Sequence, residues 1–201
     1  MQLAAIAPYT DHAMRARFEQ LMRDHYRKAY TYAYRMTGSR EDAEDLTQEA
    51  FVRAYRAIDR YDETRPFDRW LFRIISNLFV DMLRARPRQL PLSLDTPMEG
   101  VDGDTLYSEV PDEEADPARV VMRQVMDERL QNALSRLPVS FRETVLLTDI
   151  EGMSYDEAAR VLGCAVGTIR SRLHRARVLM RNIMSGKPLP RGRRTLSPAI
   201  S

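Results

Sequence analysis

One cysteine, Cys164, stands in 201 residues, so no internal disulfide can form, and the compartment this predicts is the reducing cytoplasm. No run approaches the roughly 18 consecutive apolar residues of a membrane span, so direct membrane insertion is not expected. The N-terminus offers only Leu3 to Ile6 as an apolar stretch, without a basic lead-in, which argues against a signal peptide. His12, His25 and His174 are scattered, and no Cys or carboxylate falls at metal-ligand spacing around them. A glycine-rich phosphate loop is missing as well. The expectation is a chain with no cofactor and no catalytic chemistry. Cys164 itself reads first as a small buried thiol and only second as a redox sensor.

Acidic residues are missing too, but locally. From Ala158 to Ser201 there is none, against ten Arg or Lys. Residues 88–120 show the reverse, with nine acids against Arg88 and Arg119. That segment carries −7, which leaves +9 on the rest of a chain whose net charge is only +2. Such asymmetry points to an anionic partner for the C-terminal part, although charge alone equally allows a solvated basic tail.

Composition divides the chain into an N-terminal extension (1–16), a first helical zone (17–87), a linker (88–120), a second helical zone (121–185) and a basic tail (186–201). The linker is punctuated by Pro91, Pro97, Pro111 and Pro117 and lacks apolar periodicity, so its own charge should extend it. No strand pattern occurs, which predicts an all-α protein of two small helical domains. In the first zone Phe18, Leu21, His25, Ala29, Tyr32, Ala33 and Met36 recur at helical steps until Gly38. Ser39 with Asp42 predicts a capping box opening a helix whose stripe is Ala43, Leu46, Ala50, Ala54 and Ile58. After a loop from Asp59 to Asp68 a third helix is expected to bury Leu71, Ile74, Ile75, Leu78, Met82 and Leu83.

In the second zone Leu130, Leu134 and Leu137 lead to Pro138, and Phe141, Val145 and Leu147 continue to Gly152. Ser154 and Glu157 predict another capping box, on a helix of about nine residues that ends at Gly163. A turn from Cys164 to Gly167 then gives way to a helix from Thr168 to about Met184, with Ile169, Leu173, Ala176, Met180 and Ile183 inward. Short helix, tight turn and longer basic helix make a helix-turn-helix. Ala158 and Ala159 are small enough to let the two helices cross closely. Thr168, Arg170, Ser171, His174 and Arg175 are the candidates for reading DNA; Arg172, with Arg177 and Arg181, is assigned rather to the phosphate backbone.

The stretch Ala43-Glu-Asp-Leu-Thr-Gln-Glu-Ala-Phe51 and the stretch Phe67-Asp-Arg-Trp-Leu-Phe-Arg-Ile-Ile-Ser-Asn77 resemble region 2 of bacterial sigma factors. Leu137-Pro138, Phe141-Arg-Glu143 and the helix-turn-helix resemble region 4. Order and spacing are similar to the extracytoplasmic-function group (group 4), across residues 18–184. The resemblance implies a subunit that directs core RNA polymerase to promoter DNA and helps melt it. It implies that Asp45, Gln48, Glu49 and Arg53 face the β′ clamp helices and that the second zone meets the β flap. It implies that Tyr61, Arg65, Phe67, Trp70, Arg73 and Asn77 capture −10 bases, and that Thr168, Arg170, Ser171, Arg172, His174 and Arg175 serve the −35 element. A lone Trp at a helix start is also a common core residue, so packing remains the other reading of Trp70. The linker reads either as a solubilising tether or as an anionic strap towards the polymerase cleft. An anti-sigma partner and a stress or envelope response are further implications. The rival readings are a helix-turn-helix regulator acting without polymerase and, more remotely, an enzyme of nucleic acids.

Overall fold

A computed structural model describes residues 7–85 and 127–186, with side chains from Met14 onward. The acidic linker and almost all of the basic tail lie outside the described residues. Within them every regular element is a helix.

Helix α1 (Ala7–Thr37) begins inside the stretch read from the sequence as an N-terminal extension. Pro8 falls in the first turn, where its missing N–H leaves no bond unmade, and no further Pro or Gly follows until Gly38. Gly38 ends the helix with φ 75° and donates its amide to the Tyr34 carbonyl at 2.8 Å. Ser39 caps α2 (Arg40–Arg56) by accepting from the Asp42 amide, while its own amide is taken by Thr37 Oγ1 at 3.3 Å. A short 3₁₀ turn (Ile58–Arg60) carries Ile58 off the α2 stripe and leads to α3 (Phe67–Ala85). These three helices pack on one another through Ala29, Ala33, Ala43, Ala50 and Ala54, all fully buried and small enough for close approach. Leu71, Ile75, Leu78 and Leu83 are buried as expected. Ile74 and Met82 are only half-buried, and Phe72 and Phe79 fill the core in their place.

The second lobe starts with a helix over 127–135 (α4), which stops before Pro138. Helix α5 (Val139–Val145) runs directly into a π-helical turn (Leu146–Ile150), where Glu151 donates to the Leu146 carbonyl five residues back. The one-residue insertion moves everything after it around the helix axis, so Asp149 meets Arg177 and Glu151 reaches Lys28. Helix α6 (Tyr155–Leu162) opens on Ser154 with both halves of the capping box made and closes on Gly163 at φ 62°. Helix α7 (Val166–Met184) starts two residues earlier than the sequence pattern indicates. Gly167 lies within the first turn of that helix, so the turn between α6 and α7 is only Gly163 to Ala165.

Arg142 is 2% exposed and holds this arrangement together. Its Nε donates at 2.8 Å to the Leu134 carbonyl, which also accepts from the Leu137 amide, and its Nη2 donates to the Ser135 and Leu137 carbonyls at the end of α4. Its Nη1 crosses to the first lobe and donates to the Met36 carbonyl in the last turn of α1. Burial pulls the guanidinium down to about 10, which still leaves it charged at neutral pH. Replacing it by an apolar side chain of similar length removes the side-chain donor from four carbonyls, of which only that of Leu134 keeps a backbone partner in the Leu137 amide. Arg142→Met should therefore cost about 3 kcal/mol or more of unfolding free energy in a urea titration; a loss near zero would show that the cage is dispensable.

Candidate nucleic-acid interface

Helix α7 has an inward stripe of Ile169, Leu173 and Ala176, all buried, and half-buried Met180 and Ile183. Its other faces expose Arg170, Ser171, His174 and Arg175, and Thr168 is half-buried at the first turn. Ser171 donates its hydroxyl to the Thr168 carbonyl at 3.0 Å, so this group has a bond within the helix. Arg170 and His174 stand about one turn apart on one side of α7, Arg175 lies about 140° round the axis from Arg170, and α7 carries no acid to neutralise them. Arg can bond the O6 and N7 edge of guanine with both nitrogens, and exposed cations on such a helix suit a major groove.

Two arginines assigned from sequence to DNA are engaged inside the lobe. Arg177 makes a two-pronged ion pair with Asp149, at 3.0 and 2.6 Å. Arg172 is half-buried and its charge acts on Glu143, so its place is the seam between α5 and α7 rather than the open face. The sequence pattern could not separate these from the exposed arginines, because their acidic partners lie in α5 and its π turn.

In the first lobe the 57–66 loop and the start of α3 gather Tyr61, Phe67 and Trp70. Tyr61 stacks on Trp70 with centroids 5.1 Å apart, and Phe67 stands edge-on to both. Phe67 is 3% exposed and also packs against Phe18 and His25, so it is a core residue supporting the loop, not a free stacking face. Trp70 is half-buried, which joins both sequence readings: one face packs and part of the ring remains accessible. Tyr61 donates its hydroxyl to the Arg65 carbonyl and Asp62 accepts from Thr64, which fixes the loop. Arg65, Arg73 and Asn77 are exposed. Beside the loop lies a part-open cleft of ≈ 320 Å³ bounded by Phe18, Leu21, Ile58 and Tyr61.

Helix α2 exposes Asp45, Gln48, Glu49 and Arg53, the last two paired at 2.9 Å. The same face carries exposed apolar side chains that sequence reasoning missed. Val52 and Tyr55 stand out from α2, and Tyr26 of α1 stacks on Phe51 beside them. The available signal was the presence of large apolar residues at polar-face positions of α2. A mixed apolar and charged surface of this kind fits a protein partner better than bulk solvent.

Electrostatically the most perturbed acid is Glu143. Burial pushes it up to about 7, against the downward pull of Arg172 and Arg142. The unfolded chain ionises this carboxyl near the ordinary 4.5, whereas the folded chain keeps its proton to about 7. Stability from this group is thus complete below the unfolded value and is lost as pH rises through the folded one, a change on the order of 3 kcal/mol. Glu143→Gln, which cannot ionise, should gain thermal stability relative to the parent as pH goes from 5 to 8. An equal difference in Tm at both pH values would contradict this environment for Glu143.

Among the described residues no cluster of His, Cys, Asp and Glu could hold a metal, and no helix is long and apolar enough to cross a membrane. The family model for sigma-70 region 2 matches residues 21–89, and that for sigma-70 region 4 matches residues 127–180. The ECF RNA polymerase sigma factor SigE of Mycolicibacterium smegmatis is 41% identical over 175 residues, which is 87% of this chain and 64% of that protein. The chain thus spans just under two thirds of that relative's length. The ECF RNA polymerase sigma factor SigW of Bacillus subtilis is 36% identical over 154 residues, 77% of this chain and 81% of that one. Among solved structures, the sigma factor RpoE in complex with the anti-sigma factor NepR from Bartonella quintana is similar at a TM-score of 0.63 and 27% identity, covering 84% of this chain and 96% of that chain. With both sigma-70 regions matched in order, and with relatives this similar across most of its length, the chain belongs to the extracytoplasmic-function family of RNA polymerase sigma factors, initiation proteins without catalytic chemistry of their own.

Proposed function

We propose that this chain brings core RNA polymerase to promoters by reading a −35 element with α7 and capturing −10 bases at the aromatic loop and α3. The observation that carries the reading is the acid-free α7, where Arg170, His174 and Arg175 are exposed while Arg172 and Arg177 are held by the lobe. Those exposed groups read bases, and Arg181 at the far end of the helix meets phosphate. In the first lobe Asn77 and Arg73 supply the polar contacts to an unstacked base, and the accessible part of Trp70 with Tyr61 supplies the stacking surface, Phe67 holding them in place. Base stacking on an aromatic ring contributes about 1–3 kcal/mol, enough to offset much of the cost of unstacking.

Asp45, Gln48, Glu49 and Arg53 dock on the β′ clamp helices, with Tyr26, Val52 and Tyr55 as the apolar part of the same surface, and the second lobe meets the β flap. An anti-sigma partner holds the chain inactive until an envelope or other stress signal releases it; the support here is the similar sigma factor RpoE, solved with its anti-sigma factor. The setting is the cytoplasm. A helix-turn-helix regulator acting alone would leave the first lobe and its exposed α2 face without a purpose.

Run-off transcription with core polymerase on genomic fragments tests the reading and reports the promoter together. The chain should create start sites that core alone lacks. Arg175→Ala should lose about 1–3 kcal/mol of discrimination at one base pair of the −35 element, with little change on unrelated DNA. An equal loss on all sequences would make Arg175 a phosphate contact, and the absence of any new start site would defeat the reading.

A further inference from the structure

Asp149 lies in the π turn (Leu146–Ile150), and Arg177 comes from the middle of α7. The guanidinium meets both carboxylate oxygens, with Nε 3.0 Å from Oδ2 and Nη2 2.6 Å from Oδ1. Tyr155 at the start of α6 adds its side chain to the same guanidinium, and Thr148 Oγ1 is 3.4 Å from Oδ1 of the acid. An acid from one element and a phenol from another therefore converge on one cation of α7. A carboxylate that takes an arginine fork with two bonds has the geometry a DNA phosphate would offer it.

Arg177 does not stand apart from the residues assigned to DNA. Seven residues advance a helix by about 700°, so Arg177 is nearly in line with Arg170 and about 10.5 Å further along. By the same count Arg170, His174, Arg177 and Arg181 fall within about 60° of one another round the axis. All four are exposed. Among the described residues an ion-pair partner is present for Arg177 and for none of the other three. A helix in a major groove about 12 Å wide has phosphates along both flanks, within reach of long arginine side chains.

The pair is a poor device for holding the fold. Its side chains are 52% and 30% exposed, and ion pairs open to water add little stability. Ile169, Leu173 and Ala176 already seat α7 by their burial. The effect of the acid falls instead on the charge that α7 offers to DNA. We propose that Asp149 is an internal counter-ion that occupies Arg177 in place of a backbone phosphate and so limits how tightly α7 holds DNA of any sequence. The inference rests on the DNA-binding reading of α7 and adds a residue, outside that helix, that sets its sequence-independent affinity. Phosphate contacts act alike on all sequences, so base discrimination by Arg175 is left as it is. Each phosphate contact withheld weakens the hold of unrelated DNA on the chain.

The test is the salt dependence of full-chain binding to a labelled duplex of unrelated sequence, read by fluorescence anisotropy. Each phosphate contact adds about 0.9 to the slope of log K against log salt. Asp149→Asn keeps an Oδ1 acceptor for Thr148 but loses the charge that holds Arg177. It should steepen the slope by about 0.9 and tighten binding by up to about eightfold at about 0.1 M salt. The same substitution in an Arg177→Gln background should leave the slope unchanged. An unaltered slope in the first case overturns the inference. So does an equal gain in both backgrounds, which would be a plain effect of net charge. Weaker binding by Asp149→Asn, or a loss of helix content on circular dichroism, would make the pair structural and overturn it as well. A failure of all four chains to bind the duplex at low salt has the same consequence. Start sites created with core polymerase are read separately, so failure of the promoter reading and failure of this inference appear in different assays.

Discussion

The guanidinium of Arg142 sits where two helices end. Each helix leaves its last carbonyls without partners, and a buried carbonyl without a donor is costly. One planar group with five N–H donors satisfies three carbonyls behind α4 and one at the end of α1. The direction of α5 follows from this, and with it the position of α7, which packs on α5. The exposed face of α7 is thereby set by a buried arginine. The same side chain also reaches the first lobe, so the internal order of the second lobe and its seat against the first are coupled.

Charge is sorted accordingly. The arginines of α7 share one sequence neighbourhood yet have different work. Arg177 is held by Asp149 and Arg172 faces Glu143, both within the lobe, while Arg170 and Arg175 remain free for an outside anion. Lys28 and Arg69 pair with Glu151 and Glu157 across the seam between the lobes.

The helices themselves were legible because their signals are local. Gly38, Gly163 and the Ser154–Glu157 box act within four residues, and each falls where the pattern puts it. The π turn after Val145 was not legible, since a one-residue insertion leaves the apolar spacing nearly unchanged over so short a helix. Nor was the burial of Phe67 and Arg142, because an aromatic near a polar loop and an arginine between polar neighbours both read as surface. Of the candidate contacts, the exposed ones on α2 and α7 could be found from their position opposite an apolar stripe. The cross-lobe pairs could not, as Lys28 and Glu151 are brought together only by the tertiary fold.

Two lobes gripping one duplex at separate places must do so at a fixed phase, because each added base pair both lengthens the DNA and turns it by about a tenth of a revolution. The measurement that bears most directly on this account is run-off yield with core polymerase on templates whose −35 to −10 spacing changes one base pair at a time. A sharp optimum, lost within one or two base pairs on either side, is the result the account predicts. Yield that ignores the spacing, or that survives deletion of the −35 element, would mean that the two lobes do not read one promoter together.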